Sequence, residues 1–174
     1  LESDVVAAYD SYEFHVVYQK VSQFAAVELS SIYHDVVKDR LYTDPANSPR
    51  RRSTQTALHR VVSGLCKMLS PLLVFTADEA WEFLPGKPAD SVHLALWKPA
   101  AFPRSDAEQT AWRELFELRV QVLPELEKAR QAKTIGKSLD AKLTLTGSNP
   151  MLVDGKAHAE ALRELLNVSQ LEVH

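Results

Sequence analysis

Apolar side chains fall at positions 14, 17, 18, 21, 24, 25, 29, 32, 33, 36 and 37. Spacings of three and four over about six turns place them on one face of a helix. Ser30-Ser31 lies in the middle of this stripe and either divides it in two or is absorbed, because serine competes for backbone hydrogen bonds inside a helix. Leu1 to about Tyr9 reads as the end of a preceding helix, with Asp10-Ser11 as break and N-cap. Thr43 to Pro49 is a loop by composition, and Ser48-Pro49 supplies a cap and first-turn proline for the next helix. That helix carries apolar residues at 58, 61, 62, 65, 66, 69, 72 and 73. Pro71 is expected to end or kink it near Ser70. Thr76-Ala77-Asp78-Glu79 then reads as a capping box opening a short helix through Leu84, with Trp81 inward.

Residues 85–104 hold four of the nine prolines and form a connecting segment. Within it Val92, Leu94 and Leu96 alternate with His93 and Ala95, which predicts a short extended piece. Ser105-Asp106-Ala107-Glu108 is a second capping box. The helix it opens presents Trp112, Leu115, Phe116, Leu118, Val122 and Leu126 on its buried side, with Pro124 as a kink. Trp81, Trp112 and most other aromatics are assigned to the core.

The period then changes from helical to two. Leu139, Ala141, Leu143 and Leu145 alternate with polar residues, as in a half-buried strand. Gly147-Ser148-Asn149-Pro150 is a turn, a helix with Leu162, Leu165 and Leu166 inward follows, and Leu171 and Val173 mark a last strand. Strand, helix, strand implies a right-handed crossover. A two-stranded sheet is marginal alone, so a third strand is expected from elsewhere. The predicted fold class is mainly α: a helical bundle over 1–133, including the connecting segment 85–104, then a small, truncated β-α-β appendage over 134–174.

A chain of 174 residues, 45% hydrophobic and 25% charged, is long enough for one good core and ordinary for a globular protein. It has no run of 18 apolar residues, so no membrane span is predicted. It opens in mid-pattern at Leu1-Glu2-Ser3, which is expected of a piece cut from a larger protein. The single cysteine, Cys66, excludes an internal disulfide and any multi-cysteine metal site. It lies on an apolar face as an inert thiol, and a cytoplasmic location is the simplest expectation.

Charge changes the picture more. Arg50, Arg51, Arg52, Arg60 and Lys67 give +5 between Pro45 and Ala77, where no acidic residue occurs, leaving −8 on the remainder of a chain of net charge −3. An acidic body thus carries one basic segment, next to Lys38-Asp39-Arg40-Leu41-Tyr42. Three arginines at a helix start oppose the macrodipole, which prefers anions there. An anionic partner would explain them. Arginine and lysine hold phosphates, and an aromatic such as Tyr42 stacks on unpaired RNA bases. The plainer reading is that Arg50–Arg52 are a solvated first turn, with Lys38 and Arg40 paired to Asp35, Asp39 or Asp44.

Other candidate chemistry falls away. The six histidines show no metal-binding spacing. Gly136-Lys137-Ser138 has Gln131 where a phosphate loop needs glycine, and precedes a strand where that loop needs a helix. No serine sits in a nucleophile elbow. The chain offers no catalytic residues and no metal site.

Several stretches resemble bacterial-type isoleucyl-tRNA synthetase. They are Tyr12-Glu13-Phe14-His15, Val27 through Tyr42, Arg51-Arg52-Ser53-Thr54-Gln55-Thr56, Leu69-Ser70-Pro71 and Phe75 through Trp81. Ser91-Val92-His93 with Trp97, Leu118 to Arg130, Ile135-Gly136 and Leu139-Asp140-Ala141 continue the match in order. Glu28 stands where that family more often carries aspartate.

The resemblance implies the helical anticodon-binding domain and the start of the C-terminal region. It implies tRNA, through the anticodon stem-loop of the isoleucine acceptor, and the rest of the synthetase chain as partners, with a monomeric enzyme. The parent would attach isoleucine to its tRNA with ATP and magnesium, and would carry zinc in a C-terminal module. The two nucleotide-binding signatures of the catalytic domain, the editing domain and the zinc module are not in this sequence, so the fragment is expected to be non-catalytic and to use no cofactor. The expected tRNA-binding residues are Lys38, Arg40, Tyr42, Arg50, Arg51, Arg52 and Gln55. The alternatives are the same domain of a valyl or leucyl synthetase, a helical protein-interaction module, or a small stand-alone enzyme.

Overall fold

In the computed structural model, which describes residues 1–98, 102–147 and 158–174, the apolar stripe after Phe14 winds without a break to Tyr42. It comprises α2 (Phe14–Gln23), a π-helical stretch (Phe24–His34) and α3 (Asp35–Tyr42), preceded by α1 (Glu2–Asp10). Phe24 and Asp35, at the two junctions, both keep right-handed helical backbone angles. The two serines therefore do not divide the helix. Instead Ser31 lies inside the π-helical stretch, and its hydroxyl donates to the Ala26 carbonyl, five residues back, at 2.8 Å.

The break at Asp10-Ser11 is present, but neither residue caps α2. Tyr12 takes a left-handed φ of 59° and the Glu13 amide returns to the Ala8 carbonyl at 2.7 Å. The chain reverses there, and α2 starts after Glu13 with no side-chain cap.

α4 (Pro49–Leu69) begins as its sequence dictates. Pro49 occupies the first turn and the Arg51 amide donates to the Ser48 hydroxyl. It ends before Pro71, whose ring cannot continue it. α5 (Val74–Glu82) starts two residues earlier than its apparent capping box, without a side-chain cap. Asp78 is drawn elsewhere: its Oδ1 accepts from the Ser91 hydroxyl at 2.7 Å and the Val92 amide at 2.9 Å. Those bonds, with the Leu94 amide on the Ser91 carbonyl at 3.1 Å, curl Val92–Leu94 into a 3-10 turn. The extended piece expected there does not form.

Two apolar clusters hold these elements. Val5, Ala8, Val17, Val21 and Met68 join α1, α2 and α4, with Tyr9 and Trp97 packed against them. The Tyr9 hydroxyl donates to the Met68 carbonyl at 2.7 Å. Cys66, Ala77, Trp81, Leu84 and Val92 form the second cluster. The buried Trp81 indole donates to the Ala89 carbonyl at 2.9 Å, and burial raises the Cys66 thiol above its usual pKa.

Compactness divides the chain into Leu1–Ala101 and Phe102–His174. This division falls before α6 (Asp106–Gln131), whereas periodicity alone carries the bundle to 133. α6 opens with the expected reciprocal box between Ser105 and Glu108 and runs through Pro124. In the second unit Leu115, Val122 and Leu126 are buried, as are Leu162, Leu165 and Leu166 of the helix Ala159–Leu166. The Arg119 Nε donates to the Leu165 carbonyl at 3.2 Å, tying α6 to the end of that helix. β1 (Lys142–Leu145) and β2 (Gln170–Val173) pair in parallel, with Lys142 opposite Gln170 and Leu145 opposite Val173. Ser138–Asp140 is a 3-10 turn, so the strand begins later than the alternation from Leu139 implies. The turn expected at 147–150 lies, from Ser148 onward, outside the described residues.

The assignment of aromatics to the core needs correction. Trp81 is fully enclosed, but Trp112 is 47% exposed, and Tyr12, Tyr18, Phe75, Phe83, Phe102 and Phe116 are also exposed. Trp112 and Phe116, one turn apart, contact each other with ring centroids at 6.4 Å beside the buried leucine stripe. Among the described residues no helix is long and apolar enough to cross a membrane, and no group of three or more His, Cys, Asp or Glu could hold a metal ion.

Candidate nucleic-acid interface

The basic corner is built around an acid. Asp44 lies in the loop between α3 and α4, and its two carboxylate oxygens accept from Arg50 Nε at 2.9 Å and Nη2 at 2.8 Å. The Ser48 hydroxyl donates to the same carboxylate at 3.1 Å, and Arg51 Nη1 donates to the Asp44 carbonyl at 2.8 Å. The Arg50 hydrogen bonds hold the Asp44 carboxyl below its usual range; Ser48 and the charges of Arg50 and Arg40 act in the same direction, against partial desolvation. A carboxylate next to the first turn of α4 also supplies the negative charge that a helix N-terminus favours. The loop is closed further by the Thr43 hydroxyl on the Asp39 carbonyl at 2.6 Å and the Ser48 amide on the Pro45 carbonyl at 2.9 Å.

The three arginines therefore have different positions. Arg50 is engaged by Asp44 but solvent-facing. Arg51 is half-buried, with its Nε enclosed and without a protein partner, and it clamps the loop to the helix. Arg52 is exposed, and its guanidinium forms no ion pair among the described residues. On α3, Lys38 pairs with Asp35 at 2.7 Å, as the plain reading expects. Arg40 is half-buried, with its charge felt at Asp44 and Tyr33. Tyr42, at the last turn of α3, is 85% exposed.

Arg52, Gln55 and His59 follow one another at helical spacing, so they share a face of α4. That face forms one wall of an open groove of 740 Å³ whose other side is Phe83, Leu84 and Pro85. The His59 Nε2 lies 2.8 Å from the Pro85 carbonyl; a carbonyl only accepts, so Nε2 carries the proton. Phe83 is 80% exposed, while its neighbour Leu84 is buried. Sequence reasoning does not single out Phe83 and His59, because 26 residues separate His59 from Pro85. The spacing of 52, 55 and 59 is the one local signal.

The Gly136-Lys137-Ser138 segment is not an anion loop. The amides of Gly136 and Lys137 already donate to the Asp140 carboxylate at 3.2 and 3.0 Å. A carboxylate occupying those donors would also repel a phosphate.

A helical pair joined by a basic, aromatic-tipped corner is an arrangement suited to a polyanion with exposed bases. Comparison with known proteins gives the family. Residues 1–145 match the family described as the anticodon-binding domain of tRNA ligase. The isoleucine–tRNA ligase of Halorhodospira halophila is 41% identical over 176 residues, covering 100% of this chain and 19% of that protein. That of Baumannia cicadellinicola is 43% identical over 170 residues, covering 95% and 17%. That of Moorella thermoacetica is 40% identical over 173 residues, covering 98% and 19%. The chain spans less than a fifth of the length of these relatives. With the family match running through the corner, the groove and α6, the chain belongs to the anticodon-binding domains of tRNA ligases.

Proposed function

We propose that this chain recognises the anticodon arm of isoleucine tRNA within an isoleucine–tRNA ligase. The observation that carries the reading is Arg52 and Gln55 held side by side on an exposed face of α4, beside a loop pinned by Asp44. Arg52, Gln55 and the exposed Tyr42 are the leading contacts. Lys38, Arg40 and Arg50 add positive charge at the same corner, each with carboxylates nearby, and Arg51 holds the loop in shape. Phosphate contacts would set register, and base contacts would set specificity.

The role is positional. Binding energy gathered at the anticodon is used to orient the acceptor end for reaction in a distant catalytic domain. The whole enzyme would join isoleucine to its tRNA with ATP and magnesium, would carry zinc in a C-terminal module, and would act as a cytoplasmic monomer; none of that chemistry is assigned to residues of this chain. We further propose that α6, up to 133, works with the helical bundle and that 134–174 is an appendage. The family match supports the first part of this by continuing from residue 1 through α6; it runs on to residue 145 and marks no boundary at 133.

A filter-binding titration of the 174-residue chain with isoleucine tRNA and with an unrelated tRNA tests the reading. Preferential retention of isoleucine tRNA is the expected result. Equal retention of both would overturn it, and leave a general polyanion surface.

A further inference from the structure

We propose that the groove between α4 and the Phe83–Pro85 segment takes one unstacked nucleobase of the bound RNA, with Phe83 as its stacking face. The proposal rests on the anticodon-arm reading and names a subsite within it. Exposure of Phe83 follows from the local fold. The Leu84 side chain takes the core position at the end of α5, and the Leu84 amide closes on the Trp81 carbonyl at 3.0 Å, which leaves its neighbour outside. Gly86 then turns the chain with a left-handed φ of 65°. The His59 Nε2–H bond to the Pro85 carbonyl fastens this segment to α4.

The groove thus has one aromatic wall and one polar wall. Phe83 offers an exposed ring whose position is set by a bonded, turned segment. Opposite, Arg52 offers donors only, and Gln55 offers a donor and an acceptor. With Nε2 donating to Pro85, a neutral His59 leaves Nδ1 as an acceptor. A flat ring with donors and acceptors on its edge matches this arrangement. With Arg52 on the adjoining phosphate, the base edge meets Gln55 and His59; a phosphate alone would leave the aromatic wall idle, and an aliphatic side chain would leave Gln55 and His59 unpaired. The groove is open to solvent at about 740 Å³, which leaves room for a base that stays attached to its strand. The groove also shares Arg52 with the basic segment, so a backbone held at the corner delivers its bases to this wall.

The test uses the 174-residue chain and an isoleucine-tRNA anticodon stem-loop carrying 2-aminopurine at each anticodon position in turn. Binding should change the probe's fluorescence at one position, and Phe83→Ala should weaken affinity about 5- to 150-fold and alter that fluorescence change. Its salt dependence should stay that of the parent, because no charge is removed. Phe83→Tyr should restore both signals. Phe83→Leu, which keeps bulk without an aromatic face, should behave like the alanine variant. Parent-like affinity and probe fluorescence in folded Phe83→Ala or Phe83→Leu would overturn the subsite while leaving the anticodon-arm reading intact. Failure of the parent chain to discriminate isoleucine tRNA would overturn the underlying reading instead.

Discussion

Arg50 grips both carboxylate oxygens of Asp44 at 2.9 and 2.8 Å, so the most basic turn of the chain is organised by an acid in the loop before it. A bidentate guanidinium–carboxylate pair fixes orientation as well as proximity. Asp44→Asn should therefore lower the melting temperature. Arg50→Ala should lower it further in the parent than in the Asp44→Asn background, since the two changes remove one interaction. A double-mutant cycle of thermal melts checks this; fully additive losses would show that the pair is incidental.

Acid should loosen the Asp44 loop and, separately, the end of α6. The carboxyl of Asp44 is depressed when folded, from an ordinary value of 3.8. Glu127, bonded first by Arg130 and then by Gln131, is lowered from 4.5 to about 2. A depressed carboxyl contributes stability that is complete above its unfolded pKa and is lost as pH falls through its folded pKa. Stability should thus decline as pH drops from about 4.5 towards 2, and Glu127→Gln should flatten the decline. Urea melts at stepped pH measure it.

Helix caps give a second stability test. Ser105→Ala breaks a reciprocal box in which the Glu108 amide bonds Ser105 Oγ at 3.2 Å and the Ser105 amide bonds Glu108 at 3.0 Å. It should cost about 1 kcal/mol. The Ser48 cap bond is longer, at 3.4 Å, so Ser48→Ala should cost less through the cap, about 0.5 kcal/mol, plus its share of Asp44. Denaturant midpoints at constant slope distinguish the two.

Trp81→Ala should be the most damaging single change among these. The side chain is fully enclosed, donates to Ala89, and has Lys67 Nζ 5.7 Å from its ring. Truncating a buried tryptophan costs about 3–5 kcal/mol, which chemical denaturation would register directly.

These residues also show which features are legible without coordinates. Ser48-Pro49, Ser105 with Glu108 and the stop before Pro71 depend on neighbours within a few positions, and the chain forms them as written, whereas the first strand, paired to the distant Gln170–Val173, starts at Lys142 and not at Leu139. Thr76–Glu79 has the letters of a capping box, but Asp78 is captured by Ser91 and Val92, 13 and 14 residues away. The same capture turns the first residues of the alternating Val92–Leu96 stretch into a 3-10 turn. Helical spacing marks a face as apolar or polar but does not say how wide the buried stripe is. It therefore places Trp112 and Phe116 inside with Leu115, Val122 and Leu126, whereas both rings are exposed. At the corner, composition identifies the cations. Their separate positions depend on Asp44, which composition counts only as one negative charge. The groove joins His59 to Pro85 across 26 positions, and only its α4 wall, at 52, 55 and 59, leaves a local pattern.

The central claim is that Arg52 meets RNA phosphate, and the salt dependence of isoleucine-tRNA affinity tests it most directly. Removing one cation that neutralises a phosphate reduces the slope of log affinity against log salt by about 0.7 to 0.9. Arg52→Ala should reduce the slope by that amount, while Lys128→Ala, which removes a cation paired with Glu125 at 2.7 Å on α6, should leave it unchanged. An Arg52→Ala variant that folds and binds with the parent slope would contradict the account.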